Sequence, residues 1–233
     1  MNKNKNNRTP FVLAAGAALA AALSACGSDG ASTPAVAAPL AEMSFFVTSS
    51  GSGRGGDLGG LDGADRICAT LAQAAGAPDR SWRAYLSTQA TAGQPAINAR
   101  DRIGAGPWRN ARGELIAGSV AELHAGNNLT KQTAVTERGE VVPGVGDTPV
   151  QHDILTGSQA DGTAFATAED RTCGNWTRGG AEGTAFVGHS DRRGLAETEP
   201  ARSWNASHLS RGCSQEALRS TGGAGQFYCF ATR

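Results

Sequence analysis

Four histidines are the first side chains in this sequence that could do chemistry: His124, His152, His189 and His208. A zinc site that can be read from sequence places histidine or cysteine ligands about three or four residues apart on one element. None of the four has such a neighbour, and although the pair His152-Asp153 could coordinate a metal, we expect it to lie on the surface. The sequence therefore predicts no metal site and no bound cofactor.

Residues for nucleophilic or acid–base catalysis are equally scattered. The stretch 188–191, Gly-His-Ser-Asp, contains three residue types of a hydrolase triad. Consecutive residues of a strand face opposite sides, however, so they cannot form a relay by themselves. Glu197 and Glu199 indicate a solvated loop rather than paired catalytic carboxylates. We therefore expect a protein that is not an enzyme, with a hydrolase of unrecognised site as an alternative.

Residues 51–56, GSGRGG, fit the pattern G-x-G-x-x-G, which binds the pyrophosphate of a dinucleotide when it joins a strand to a helix. The chain has 32 glycines, so the pattern is weak, and no second strand–helix–strand unit follows it. We expect no dinucleotide binding. Residues 51–60 are instead predicted to form a flexible surface loop that tolerates partial deletion.

Residues 1–25 resemble the signal peptide of a bacterial lipoprotein. Three basic residues precede an apolar run, residues 11–23, which is too short to cross a bilayer and has the length of a signal-peptide core. The run leads into Leu-Ser-Ala-Cys26, which is similar to a lipobox. The resemblance implies cleavage before Cys26 and its lipidation, and Gly27 favours the outer membrane, with the periplasmic or cell-surface face left open. An ordinary signal peptide with an incidental Cys26 is the alternative.

Export would place the chain in an oxidising compartment, where cysteines pair as disulfides. An even number of cysteines remains, which fits two disulfides with three alternative pairings. Of the 21 lysines and arginines, three lie in the signal peptide, and the 18 that remain do not outnumber the 21 acidic residues. The chain therefore lacks the basic surplus of a nucleic-acid-binding protein. Because basic residues do not provide a membrane-binding patch either, we expect attachment to the membrane through the lipid at Cys26. The four cysteines are Cys68, Cys173, Cys213 and Cys229.

The elements that must position these side chains belong to one domain. Residues 26–42 are small and aperiodic and predict a flexible tether, and residues 43–233 are long enough for one domain with its own core. One helix, many short strands and long loops predict an α+β fold with an antiparallel sheet. The predicted elements are strands at 43–50, 81–88, 184–190 and 226–232, strand ends at 153–158 and 163–167, two short strands around Arg112-Gly113, a helix from an N-cap at Asp62 to Gly76, and a second helix near 119–125.

The order of these motifs resembles the C-type-lectin-like fold. It is most similar to the bacterial branch related to endostatin, a domain of unknown function found in lipoproteins that include surface lipoproteins of spirochaetes. The resemblance covers residues 45–233 and implies an antiparallel sheet, one or two helices, long loops and the disulfides Cys68–Cys229 and Cys173–Cys213. The segments that carry it are FFVTSS (45–50), GDLGGLDGADRIC (56–68), RAYLST (83–88), ARDRI (99–103), ILTGSQADGT (154–163), CGNWT (173–177), FVGHS (186–190) and FYCF (227–230).

Lectins that bind sugar through calcium share two triplets, Glu-Pro-Asn or Gln-Pro-Asp and Trp-Asn-Asp. The chain has Glu-Pro-Ala at 199–201 and Trp-Asn-Ala at 204–206, so each triplet lacks its last oxygen ligand. Calcium takes about six to eight oxygen ligands. We therefore expect no calcium–sugar site here.

Tryptophan and arginine are favoured anchors in binding interfaces. Asn175 and Trp176 follow a cysteine, and Arg202, Trp204 and Asn205 lie in the long loop before Cys213, so these five residues are predicted to contact a ligand. The alternative is that both tryptophans fill the core.

The predicted function is a non-enzymatic, lipid-anchored envelope protein whose domain recognises a macromolecule. The partner is a matrix protein, an envelope component or a glycan, and the resemblance implies binding of matrix or serum proteins. A structural lipoprotein facing the periplasm, without a dedicated ligand, is the second hypothesis.

Overall fold

The computed structural model describes residues 37–77 and 79–232. The predicted signal peptide, the predicted lipidation of Cys26 and the first part of the predicted tether lie outside the described residues. Within these ranges, each helix is either too short or too polar to cross a membrane.

The described residues form an α+β structure with one long helix and several short ones, instead of the one or two helices expected. The strands are β1 (Phe45–Val47), β2 (Trp82–Ala84), β3 (Trp108–Arg109), β4 (Leu115–Ala117), β5 (Asp153–Leu155), β6 (Phe186–His189), β7 (His208–Leu209) and β8 (Gly223–Ala231). The helices are α1 (Ala37–Glu42), α2 (Gly60–Ala74), α3 (Val120–Ala125), α4 (Cys173–Trp176) and α5 (Gln215–Arg219), with 3₁₀ turns at Ala99–Asp101 and Pro200–Arg202. Of these, α4 is a single turn whose four residues all have positive φ, so its backbone is left-handed.

The last strand, β8, organises the main sheet. It pairs antiparallel with both β1 and β2, and parallel with β5. Strand β5 pairs antiparallel with β6, and β6 with β7, so the strand order is β1-β8-β5-β6-β7 with β2 also on β8. The predicted antiparallel-rich sheet is therefore confirmed, and β3 and β4 form the expected hairpin around Arg112-Gly113.

Strand β8 is buried on both faces. Phe227, Cys229 and Ala231 belong to one hydrophobic cluster, and Tyr228 and Phe230 belong to another. Because successive side chains of a strand point to opposite faces, one strand can supply two cores in this way. The alternation predicted from the sequence is confirmed, with an apolar layer against each face.

Helix α2 covers the first face. Ala64, Cys68 and Ala72 form its buried stripe, at the spacing expected of one helical face. The helix begins at Gly60 with Gly59 as its N-cap, three residues earlier than predicted, so Asp62 is not the N-cap but lies in the first turn. There its negative charge still favours the positive end of the helix dipole.

Both disulfides have the pairing implied by the resemblance. Cys68 on α2 is bonded to Cys229 on β8, and Cys173 is bonded to Cys213, with Cα atoms 5.6 Å apart in each pair. The first bond fastens the long helix to the central strand. The second joins α4 to the segment before α5.

The glycine-rich stretch 51–60 is not the flexible surface loop that we predicted. The Gly56 amide donates to the Cys213 carbonyl at 2.8 Å, and both Gly55 and Gly56 are buried. A Cβ atom on Gly56 would lie 2.6 Å from the sulfur of Cys173, which is closer than carbon and sulfur can approach. Gly55 and Gly56 are therefore required by close packing against Cys213 and Cys173, whereas Gly53 and Gly60 have open space around them. The tolerance of the segment to partial deletion stays a prediction.

Two further expectations about irregular regions are corrected. Residues 37–42, predicted as part of the tether, form α1, whose Leu40 packs against the core. Alanine-rich chain readily adopts a helix once such a contact is available. Residues 163–167, predicted as a strand end, make a single isolated bridge, between Ala164 and Ser158.

Candidate metal centre

The two tryptophans predicted to contact a ligand lie in the interior. The indole nitrogen of Trp176 donates to the Ser87 carbonyl at 2.8 Å, and the Trp204 ring packs against Tyr85 with centroids 4.8 Å apart. Both side chains are at least 97 % buried. Neither ring is presented to a macromolecular partner, and both match the alternative of core side chains.

The predicted contact residues Asn175 and Asn205 have structural partners as well. The Asn175 side chain exchanges two hydrogen bonds with the Gln89 backbone, at 2.8 and 2.9 Å. Asn205 is buried and donates to the Tyr85 hydroxyl at 2.9 Å. Of the five predicted contact residues, Arg202 alone is exposed.

Three histidines that the sequence leaves isolated meet around one aspartate. His152 and Asp153 stand at the start of β5, His189 ends β6, and His208 begins β7. Sheet pairing places Asp153 opposite His189, and His208 opposite the residue two positions before His189. Neighbouring strand ends therefore collect side chains from separate parts of the sequence.

The Nε2 atoms of the three imidazoles converge on one carboxylate oxygen. The distances to Oδ1 of Asp153 are 3.4 Å from His152, 3.4 Å from His189 and 3.5 Å from His208. The Nε2 atoms of His189 and His208 are 3.0 Å apart. The rings of His152 and His189 stack in parallel with centroids 4.4 Å apart.

The other ring nitrogen of each histidine is held by an oxygen acceptor. Nδ1 of His152 lies 2.8 Å from Oδ1 of Asp191, and Nδ1 of His189 lies 2.8 Å from the Ala201 carbonyl. Nδ1 of His208 lies 3.0 Å from its neighbouring carbonyl, that of Leu209. These contacts fix the orientation of all three rings.

Three of the four side chains in the cluster are buried, and the fourth, His208, is partly exposed. Asp153 is 2 % exposed, and both of its carboxylate oxygens lack a hydrogen-bond partner. The side chain of His208 is 38 % exposed and forms the open side. The expectation that His152-Asp153 is a surface pair is therefore wrong.

Charge in the cluster shows in two pKa values. Burial by itself would raise the pKa of Asp153, but the facing imidazoles of His189 and His208 outweigh it and lower that pKa to about 2. The same carboxylate raises the pKa of His208 above its ordinary value, against the opposing effect of burial. The imidazoles of His189 and His208 thus favour the negatively charged form of the Asp153 carboxylate.

The fourth histidine lies elsewhere. Nε2 of His124 is 2.7 Å from the Tyr85 hydroxyl, and its Nδ1 is 2.8 Å from the Val120 carbonyl. Burial lowers the pKa of His124. His124 therefore has a complete set of partners and takes no part in the cluster.

Sequence spacing could not find this cluster, because its members span residues 152–208 and meet only through sheet pairing. In the described residues, the donor atoms of His152, Asp153 and His189 all lie within 4.8 Å of one another, as a metal site requires. His208 adds a third imidazole nitrogen close to Asp153 and His189. Comparison of the sequence with protein-family models and with curated proteins finds no match.

Proposed function

We propose that this chain is a lipoprotein anchored through Cys26 to the bacterial outer membrane, and that it displays one C-type-lectin-like domain. The domain recognises a macromolecule: a matrix protein, an envelope component or a glycan. It acts by binding and not by catalysis.

The observation that carries this proposal is the disulfide pairing. The residues alone allow three pairings, and the resemblance implies one of them, which is the one present. Two disulfides also suit the oxidising compartment to which a lipoprotein signal would deliver the chain.

The segment between His189 and His208 is the part of the predicted binding region that remains available. Its residues 195–200 and Arg202 are exposed, while Trp204 and Asn205 anchor it from inside. Leu195 is fully exposed, so the segment offers an apolar side chain among charged ones. A partner that covers Leu195 and pairs with Arg202 would use both features.

A binding screen tests the proposal. The full-length chain is assayed against purified matrix proteins and a glycan array, with calcium and with chelator. We expect a ligand whose binding falls at least tenfold in the variant Leu195→Ser/Arg202→Ala. The matched control is Ile97→Ser, which removes another exposed apolar side chain elsewhere on the surface.

Location is tested separately by protease treatment of intact cells. Cleavage of the domain would support display at the cell surface. Complete protection would remove the surface version and leave an envelope component as the partner. Equal binding by the loop variant and the wild-type chain would exclude the 195–202 segment as the contact surface.

A further inference from the structure

We propose that His152, Asp153, His189 and His208 bind one divalent transition-metal ion, of which Zn²⁺ is the best match. The proposal rests on the geometry of these four side chains. It is independent of macromolecular recognition and survives if the chain has no such partner.

The first step is the direction of the lone pairs. Each Nδ1 faces an acceptor: the Asp191 carboxylate, or the carbonyl of Ala201 or Leu209. Such an oxygen can only accept, so the partner assigns the proton to Nδ1 in each ring. A neutral imidazole protonated on Nδ1 carries its lone pair on Nε2. All three Nε2 atoms therefore carry lone pairs near Oδ1 of Asp153. Because the rings of His152 and His189 stack in parallel, one of these two rings must tilt for both lone pairs to meet the same ion.

The second step is the cost of leaving these atoms without a cation. Three lone pairs and a negative carboxylate lie close together, and both oxygens of Asp153 lack a hydrogen-bond donor. At 3.4–3.5 Å the nitrogens are too far from Oδ1 for good hydrogen bonds. Burying unpaired acceptors and a charge is unfavourable, and one central cation satisfies the donor atoms together.

The third step is distance. Zinc binds histidine nitrogen and carboxylate oxygen at about 2.0–2.2 Å, which separates neighbouring ligand atoms by about 2.9 Å at a right angle and about 3.4 Å at a tetrahedral angle. Four of the six separations among these ligand atoms lie between 3.0 and 3.5 Å: each nitrogen to Oδ1 of Asp153, and His189 to His208. Each imidazole is thus spaced from the carboxylate as a neighbouring ligand on one ion would be.

The fourth step is the chemical class of the ion. Three imidazoles with one carboxylate suit zinc and its transition-metal neighbours, whereas calcium and magnesium require mainly oxygen ligands. A divalent charge also balances Asp153 together with Asp191, the carboxylate that holds His152. Asp191 is fixed by backbone amides of Val145 at 2.7 Å and Arg193 at 3.1 Å. A carboxylate behind a histidine ligand is the usual support of a metal site.

The ion would join the ends of β5, β6 and β7. It would also close the base of the segment 190–207, because His189 and His208 flank that segment. The half-exposed His208 gives the ion its route of entry.

The test is calorimetric titration of the full-length chain with Zn²⁺ after removal of metal by chelator, with the disulfides intact. We expect one ion per chain. His208→Ala and Asp153→Asn should each weaken binding more than 100-fold, and Asp191→Asn should weaken it about 10–100-fold, the usual effect of losing a supporting carboxylate. His124→Ala is the matched control, because it removes a histidine outside the cluster, and its affinity should equal that of the wild-type chain.

Two further measurements keep the result clear if a variant folds poorly. Near-UV circular dichroism checks that each variant keeps its tertiary structure. His208→Ala is expected to disturb the fold least, because it changes a half-exposed residue at the sheet edge. Co²⁺ in place of Zn²⁺ should give visible absorption bands in the wild-type chain and in His124→Ala, and these bands should be lost in His208→Ala. A metal-free wild-type chain that does not bind Zn²⁺, or binding unchanged in both His208→Ala and Asp153→Asn, overturns the proposal.

Discussion

The disulfides and the histidine cluster both connect distant parts of this chain, yet they differ in whether their polar groups are satisfied without a further partner. The bonds Cys68–Cys229 and Cys173–Cys213 span 161 and 40 positions in sequence and lie among apolar side chains of one core. They are complete by themselves. The cluster around Asp153 joins three strand ends with polar groups that leave two buried oxygens unpaired.

The disulfides and the histidine cluster also differ in how the surrounding residues hold them. The Cys173–Cys213 bond is packed so closely that Gly56 has no room for a side chain. The histidine rings are held instead by directed contacts from Asp191 and two carbonyls, which set orientation rather than volume. Dense apolar packing suits a covalent bond, whereas oriented lone pairs suit an ion.

Breaking the long disulfide should have the largest effect. In the loop-entropy account, Cys68→Ala/Cys229→Ala removes about 5 kcal/mol from the free energy of unfolding, and Cys173→Ala/Cys213→Ala removes about 4 kcal/mol. Urea unfolding of both double variants measures the two losses. A loss below about 1 kcal/mol for the first pair would show that α2 is held to β8 mainly by packing.

Loading the cluster should stabilise the chain. With free Zn²⁺ at about 100 times its dissociation constant, binding adds about 2.7 kcal/mol, which corresponds to about 5–10 °C in Tm for a domain of this size. Calorimetric scans with Zn²⁺ and with chelator give the shift. Asp153→Asn should lose the response and His124→Ala should keep it, and an equal shift in Asp153→Asn would contradict the assignment.

The packing around the short disulfide should be nearly as sensitive. Gly56→Ala places a methyl group 2.6 Å from the Cys173 sulfur, so overpacking should cost about 1–3 kcal/mol of stability. Gly180→Ala is the control, because a Cβ there has open space and should change stability by less than about 0.5 kcal/mol. Thermal unfolding of the two variants compares them directly, and equal midpoints would return residues 51–60 to the flexible loop first expected.

Local patterns predicted much of the fold. The helix predicted from Asp62 to Gly76, the strand predicted at 226–232 and the hairpin at Arg112-Gly113 depend on side chains close in sequence, and all three elements are present. The disulfide pairing could not be derived from the residues, which allow three pairings, and came from the resemblance.

The cluster could not be predicted in the same way. His152, His189 and His208 become neighbours only because β6 lies between β5 and β7, and no local pattern records that order. For Trp176 and Trp204 the sequence left open both contact with a ligand and a place in the core, because a tryptophan in a loop between cysteines has the same sequence context in either case. The packing of Gly56 depends on a sulfur atom more than a hundred positions away.

Strand β7 has a consequence for contacts between molecules of this protein. It is the last strand of the sheet on its side, and an uncovered outer strand offers unpaired amides and carbonyls to strands of other molecules. Here that outer strand is only two residues long, His208–Leu209, and His208 turns its side chain back towards the sheet. A neighbouring chain therefore finds only a two-residue ladder at this edge, which is too short for extended strand pairing.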